Sequence, residues 1–132
     1  MGSRGLTLAL LVAICQIAAE PALAQAKPLP ADLSGRWTYA PTGRTNTFSL
    51  DQIKPGSDST FTALLTWWTA DPACTIRKTP IDGRVTEGGI VFESKTKCDV
   101  EFTVELTRGD KDWSGKAVTK GANVLTIDLK AK

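Results

Sequence analysis

Hydrophobic and polar residues alternate with a period of two in short runs along the chain, and turn residues separate the runs. In the clearest run, residues 98–107, every second residue is apolar and those between are polar. Neighbouring side chains of a strand point to opposite faces, so this run predicts a strand with one buried face. Its predicted inward residues are Val100, Phe102, Val104 and Leu106.

Two further runs show the same alternation, with predicted inward residues Phe61, Ala63, Leu65 and Trp67 in the first and Leu125, Ile127 and Leu129 in the second. Shorter candidate strands are 35–39, 46–52, 74–78, 81–86, 90–95 and 112–119. Residues that favour turns separate many of them, as at 55–58, 87–89 and 109–112. No window of about 11 residues after the first 24 has a helical apolar stripe, so the sequence predicts an all-β domain.

About eight short strands with links of roughly two to six residues favour an antiparallel up-and-down meander. Such a sheet closes into a small barrel or divides into a two-sheet sandwich. Full closure removes exposed strand edges. We therefore predict a small antiparallel up-and-down β-barrel of about eight strands, with the sandwich as the alternative.

The first 24 residues have the features of a cleavable secretory signal peptide. Arg4 lies near the amino terminus, residues 6–19 are uncharged and apolar, and small residues at Ala22 and Ala24 precede a predicted cut. A membrane anchor is the alternative, but this apolar run is shorter than the roughly 20 residues a spanning helix needs. We expect cleavage after Ala24, export to the periplasm or the medium, and no membrane span in the mature chain.

The predicted mature chain is one domain preceded by a short lead-in. Removing 24 of the 132 residues leaves 108, and the net charge stays at +2 because the removed part holds one base and one acid. Residues 25–34 contain two prolines and no periodic pattern, which predicts an extended, partly mobile segment. Residues 35–132 would form a single β-barrel domain with one core.

Two of the three cysteines, Cys74 and Cys98, remain after cleavage. In an exported protein an even pair predicts a disulfide, with two free thiols as the alternative. A bridge closing a loop of about 25 residues contributes roughly 3 kcal/mol in the chain-entropy model.

Composition excludes several functions. Histidine is absent, which removes His-based nucleophile pairs and the imidazole ligands of most zinc or copper sites. The weak, dispersed charge does not predict nucleic-acid binding, and no glycine-rich phosphate-binding motif occurs. Asp99, Glu101 and Glu105 could share a strand face for acid–base chemistry, but an outward solvated face explains them better. We expect no enzyme activity, no metal and no cofactor.

Adjacent Trp67 and Trp68 are the feature that folding explains least. If Trp67 points inward, Trp68 points outward on the row of Leu64. An indole buried by a partner contributes up to about 5 kcal/mol before the costs of association. Trp68 and Leu64 are therefore candidate contact residues, as is Tyr39, whose hydroxyl could enter a barrel mouth; cover by a loop or the lead-in is the alternative for Trp68.

Six short segments, in the same order, resemble the avidin-like branch of the calycin barrels. They are Leu33-Ser34-Gly35-Arg36-Trp37-Thr38, Phe61-Thr62-Ala63, Ile81-Asp82-Gly83-Arg84-Val85, Glu101-Phe102-Thr103-Val104-Glu105-Leu106, Trp113-Ser114-Gly115-Lys116 and 124–129. The resemblance implies a closed barrel. It implies no biotin site, because Tyr39 and Gly43 stand where the family has polar biotin contacts, segment 124–129 lacks an aromatic residue, and the chain stops before the family's last two strands.

A second resemblance is to the small periplasmic inhibitors of bacterial metalloproteases, which are β-barrels with one disulfide. Their extended N-terminal segment enters the protease cleft, and residues 27–37 are similar to it. The cysteines depart from that pattern, because Cys74 lies 37 residues after Trp37 rather than soon after the first strand.

These observations predict a non-catalytic exported binding protein of avidin-like or lipocalin-like architecture. Its ligand would be a small molecule at the barrel mouth or an envelope or extracellular protein at an aromatic patch around Trp68. The alternatives are a periplasmic protease inhibitor acting through residues 25–34 and an envelope protein without a small ligand.

Overall fold

Eight antiparallel strands form a closed barrel in the computed structural model, which describes residues 28–131. Each strand pairs with its neighbours in the chain, and β8 pairs with β1 to close the sheet. The strands are β1 Leu33–Tyr39, β2 Arg44–Pro55, β3 Thr60–Trp67, β4 Ile76–Val85, β5 Gly89–Lys95, β6 Glu101–Arg108, β7 Asp112–Thr119 and β8 Val124–Ala131. The predicted all-β up-and-down barrel is confirmed, and closure rules out the sandwich. The described residues include no helix long and apolar enough to cross a membrane.

Inward side chains fill the barrel interior. The predicted inward residues of β3 are all buried, as are Phe102, Val104 and Leu106 of β6 and Ile127 and Leu129 of β8. Barrels of about eight strands are just wide enough for side chains to fill them. The interior is therefore a packed core, and space for a ligand remains only near its ends.

The prediction that Val100 is inward and buried is wrong. Val100 is 44% exposed, and β6 begins one residue later, at Glu101. Asp99 has a positive φ of 64° within a tight turn. In this turn the Thr96 hydroxyl accepts hydrogen bonds from the backbone N–H groups of Cys98 and Val100. The turn lifts Val100 out of the core to the end of the barrel.

The two short candidates 74–78 and 81–86 form one irregular strand, β4. An extra residue shifts its register against β3 between Thr79 and Ile76, and Lys78 in this bulge has a φ of 40°. Pro80 follows in mid-strand. Residues 76–82 have no pairing partner on the β5 side, and proline is tolerated at such an edge because no N–H is required there.

An open seam, defined by residues 76–82 of β4 and 93–95 of β5, interrupts the hydrogen bonding of the barrel wall. The two strands pair only between residues 83–85 and 90–92. Cys74 lies just before β4 and Cys98 lies in the loop after β5, with their Cα atoms 4.9 Å apart in the predicted disulfide, which is confirmed. Cys98 precedes β6 rather than starting it, so the disulfide joins the two strands at the end where their hydrogen bonds are missing.

Two inward glycines allow the strands to approach closely. A Cβ at Gly35 would lie 2.0 Å from the carbonyl oxygen of Asp128, and one at Gly115 would lie 1.9 Å from that of Glu105. Glycines at such positions permit the sharp bends that close a small barrel. The Gly-x-Trp and Trp-Ser-Gly segments therefore have a structural role in the wall.

The described part of the lead-in, residues 28–32, lies across one end of the barrel, called here the closed end. The Ala31 carbonyl accepts a hydrogen bond of 2.8 Å from Ile53 N, and the Asp32 carboxylate accepts one of 3.1 Å from Gln52 N. Leu29 packs against the core, and the Arg108 guanidinium donates to the carbonyl of Pro28. These contacts cover part of the closed end; the opposite end, where β3 ends and β4 begins, is called here the open end.

Candidate functional site

The open end of the barrel holds a cavity of about 330 Å³, called here the mouth cavity. Its wall is predominantly apolar. Trp37, Trp67 and Phe102 form the floor, and Val100, Leu125 and Ala70 form part of the sides. Arg44, Asp71 and Thr69 contribute polar groups. Known ligand pockets share this composition, with apolar walls and a few placed polar groups, and begin at about 300 Å³.

A larger depression of about 620 Å³ crosses the outer wall over β5, β6 and β7. It is lined by charged side chains, and two of these, Lys120 and Glu101, form an ion pair of 3.3 Å. Both side chains are more than half exposed. Shallow, charged surfaces of this kind are ordinary solvated faces, so the smaller mouth cavity is the better candidate site.

Three aromatic rings contact one another in series in the cavity floor. The ring centroids of Trp37 and Trp67 are 5.7 Å apart with planes 9° from parallel, and those of Trp67 and Phe102 are 4.7 Å apart with planes inclined by 31°. Phe48 packs its ring edge against Trp67 at 5.2 Å. All four side chains are at most 6% exposed. The rings of the floor are therefore packed against one another without a ligand.

The two indole N–H groups of the floor differ in their partners. Trp37 Nε1 donates a hydrogen bond of 2.8 Å to the carbonyl oxygen of Trp68. Trp67 forms no hydrogen bond from its indole within the described residues. No buried side-chain nitrogen among these residues lacks a partner, so Trp67 Nε1 retains accessible surface, and the mouth cavity is the space that Trp67 lines.

The cavity wall contains two charged side chains among the described residues, Arg44 and Asp71. Arg44 takes part in neither ion pair of the described structure, Lys95–Asp99 or Lys120–Glu101. Asp71 caps the 3₁₀ turn Pro72–Cys74 by accepting a hydrogen bond of 3.0 Å from Ala73 N. The Asp71 carboxylate is therefore engaged in capping its own turn, whereas the Arg44 guanidinium is available to bind a ligand.

Two large apolar side chains of the described residues are exposed, and both lie at the mouth end. They are Val100, at 44%, and Val124, at 49%. Val100 extends the cavity wall, whereas Val124, next to the inward Leu125, points outward at the start of β8. Among the described residues, the large apolar side chains that are exposed therefore lie at the same end as the cavity.

The three residues predicted to contact a partner lie in two places. Tyr39 is half-buried at the end of β1, where its hydroxyl donates a hydrogen bond of 3.4 Å to Asn123 Oδ1 beside the mouth. Trp68 is half-buried directly after β3, and the Arg77 guanidinium lies 4.4 Å from the centre of its ring. Leu64 is half-buried on β3, one residue from the inward Leu65 and so on the outer face. The structure does not bring Tyr39 together with the other two.

The residues that line the cavity were not identified as site residues from the sequence. Trp67 was predicted to point inward, and it is buried, but neither Trp37 nor Arg44 was singled out as a contact residue. The sequence does contain one indication for Arg44. It begins β2 and stands four positions before the inward Phe48, so the alternation of the strand places both side chains on the inner face. The meeting of Trp37 with Trp67 depends on the pairing of three strands, which no local pattern contains.

Donor atoms of Asp71, Cys74 and Cys98 lie within 4.8 Å of one another. Both sulfurs belong to the disulfide, so neither is a thiolate that can bind a metal. Cys74 also lines the mouth cavity. This cluster is therefore part of the cavity wall and not a metal centre.

The carboxylates considered for acid–base chemistry are exposed. Asp99 forms an ion pair of 3.5 Å with Lys95, and Glu101 pairs with Lys120. Glu105 lies on the outer face of β6 between the buried Val104 and Leu106. This placement agrees with an outward solvated face.

The fold defines the class of the protein as a closed eight-stranded antiparallel β-barrel. No family model matches the chain, and no curated protein matches it. Among solved structures, a redesigned β-barrel is similar with a TM-score of 0.57 and 17% sequence identity, covering 79% of this chain and 91% of that chain. At this identity the similarity concerns the fold alone. Of the resemblance to avidin-like barrels, the structure therefore supports only the closed antiparallel barrel.

Proposed function

We propose that this protein is a non-catalytic exported binding protein that holds a small, predominantly apolar ligand in the mouth cavity. The observation that carries the proposal is the cavity itself, with its packed aromatic floor and few polar groups. A site whose side chains are already packed loses little conformational entropy on binding. The calycin-like architecture, in which ligands enter one end of the barrel, is compatible with this use.

Export is proposed from the predicted signal peptide and from the disulfide. Residues 1–24 lie outside the described residues. A disulfide persists in the periplasm or outside the cell and is uncommon in the cytosol. The bond between Cys74 and Cys98 lies beside the cavity, so an oxidising compartment would also keep this part of the mouth wall in place.

The contacts of the lead-in favour the mouth over the N-terminal segment as the binding region. Residues 28–32 lie across the closed end through the hydrogen bonds of Ala31 and Asp32, and Leu33 is fully buried. Their packing gives these residues a structural task. An inhibitory segment must instead be free to enter a protease cleft. Residues 25–27 lie outside the described residues.

A protein partner at the Trp68 patch is the second candidate. Trp68 remains half-buried beneath the Arg77 guanidinium, and Leu64 is half-buried on the same outer face. Cation–π contact at an exposed site contributes about 0.5–1 kcal/mol, so the ring already has a partner within the chain. This arrangement favours the mouth cavity as the primary site.

Two exposed valines provide a matched test of the mouth. Val100→Gln places a polar amide in the cavity wall, and Val124→Gln makes the same change on the outer side of the same end. Both residues are exposed, so both variants should fold like the wild type. Native mass spectrometry of protein purified from the host envelope should detect a bound small molecule on the wild type and on Val124→Gln. Its recovery should fall severalfold on Val100→Gln; equal recovery on both variants would contradict the proposal.

A further inference from the structure

We infer that the mouth cavity selects a small organic anion, such as a carboxylate with a compact apolar body. The inference rests on the proposed function and adds the chemical class of the ligand. Three features of the cavity carry it: the closely packed rings of the floor, the indole N–H of Trp67 and the guanidinium of Arg44.

The aromatic floor is too closely packed to act as a cation-binding cage. Trp67 contacts Trp37 with ring planes 9° from parallel and Phe102 with planes inclined by 31°, and Phe48 packs its edge against it. All four side chains are at most 6% exposed. A cation is attracted to the electronegative face of an aromatic ring, whereas the ring edge is electropositive. Rings that are packed on one another to this extent offer little open face to a cation.

The indole N–H of Trp67 adds a directed donor to this floor. It has no acceptor within the described residues and retains accessible surface. A ligand that covers the floor without an acceptor would leave this group buried and unsatisfied, at a cost of about 1–3 kcal/mol. The site therefore favours a ligand with an oxygen acceptor near Trp67.

Arg44 supplies the positive charge. It lies at the first position of β2, opposite Tyr39, and shares the inward parity of Phe48. No carboxylate of the described residues forms an ion pair with it. A guanidinium can bind a carboxylate through two parallel hydrogen bonds. An anion at this end would gain both the charge of Arg44 and the donors of its guanidinium.

Asp71 is the opposing charge in the cavity wall. Its Oδ1 already accepts from Ala73 N as the cap of the 3₁₀ turn. Asparagine is an equally good cap residue, so Asp71→Asn removes the negative charge and keeps the capping oxygen. This variant separates an anion site from a cation site: anion binding should strengthen, and cation binding should weaken.

The experiment measures the binding of two probes of opposite charge by isothermal titration calorimetry. The probes are 2-naphthoate and 2-naphthylmethylammonium, which share the same apolar body. We expect naphthoate to bind with 1:1 stoichiometry and more tightly than the ammonium. Arg44→Gln should weaken naphthoate binding about tenfold. Arg36→Gln, the matched control on the outward face of β1, should leave it unchanged, and Asp71→Asn should strengthen it about two- to threefold.

The possible results separate this inference from the proposed function. Equal or tighter binding of the ammonium, or equal losses in Arg44→Gln and Arg36→Gln, would overturn the anion preference and leave the mouth as a binding site. If neither probe binds the wild type or Asp71→Asn, the proposed function fails and the inference fails with it. Tighter naphthoate binding that depends on Arg44 and not on Arg36 supports both.

Discussion

Removing the disulfide should destabilise the barrel by about 3 kcal/mol. Cys74 and Cys98 are separated by 24 residues, a loop that contains the whole of β4 and β5. For a loop of this length the chain-entropy model gives about 3–3.5 kcal/mol at 25 °C, because the unbridged unfolded chain gains conformational freedom. Along the open seam no strand hydrogen bonds compensate for the missing bridge, since β4 and β5 pair only between residues 83–85 and 90–92.

The double variant Cys74→Ser/Cys98→Ser tests this prediction by equilibrium unfolding in urea. Cys98 is exposed and Cys74 is half-exposed, so serine should be tolerated at both positions. We expect a lower midpoint and a melting temperature reduced by roughly 15 °C. Amide exchange should quicken most in β4 and β5 and least at the β1–β8 pair. A loss below about 1 kcal/mol, or exchange that quickens equally around the barrel, would show that the disulfide does not stabilise the seam in this way.

Two pairs of substitutions test the close strand approach in the wall and the different roles of the adjacent tryptophans. Gly115→Ala should lower the free energy of unfolding by about 2–4 kcal/mol, because a Cβ there meets the Glu105 carbonyl at 1.9 Å. Gly88→Ala is the control and should change it little, since a Cβ at Gly88 has no atom within 4 Å. Trp68→Ala should cost about 1–2 kcal/mol, because its ring packs under Arg77 and the variant keeps the backbone carbonyl that accepts a hydrogen bond from Trp37 Nε1. Trp67→Ala should cost about 3–5 kcal/mol. Equal costs for the two tryptophans would show that Trp68 belongs to the core.

Local patterns predict the strands wherever the alternation is regular. β7 was expected at 112–119 and has these bounds, and the inward set of β3 is buried as expected. β-Bulges explain why the bounds of β2 and β4 were predicted less accurately. In β2 an extra residue near Gln52, which has a φ of 51°, sets the buried Leu50 and Ile53 three positions apart, so the period-two pattern ends early although the strand continues to Pro55.

The cavity depends on contacts that a local pattern does not contain. Trp37 and Trp67 belong to different strands and meet only because β2 pairs with both, through Asn46 and Phe48. Val100 has the parity of an inward residue, but the turn at 96–99 moves it to the rim. The disulfide was predictable because the two cysteines that follow the predicted signal peptide can form only one bridge. Its position beside the seam required the structure.

The most direct test of the mouth site uses the four tryptophans of the chain as internal reporters. In a two-dimensional ¹H–¹⁵N spectrum each indole N–H gives one signal: Trp37 and Trp67 report on the mouth, Trp113 on the closed end and Trp68 on the outer wall. Titration with 2-naphthoate should shift the Trp67 signal most and the Trp37 signal next, and leave those of Trp113 and Trp68 in place. Shifts confined to Trp68 or Trp113, or none at all, would contradict the claim that the mouth is the binding site.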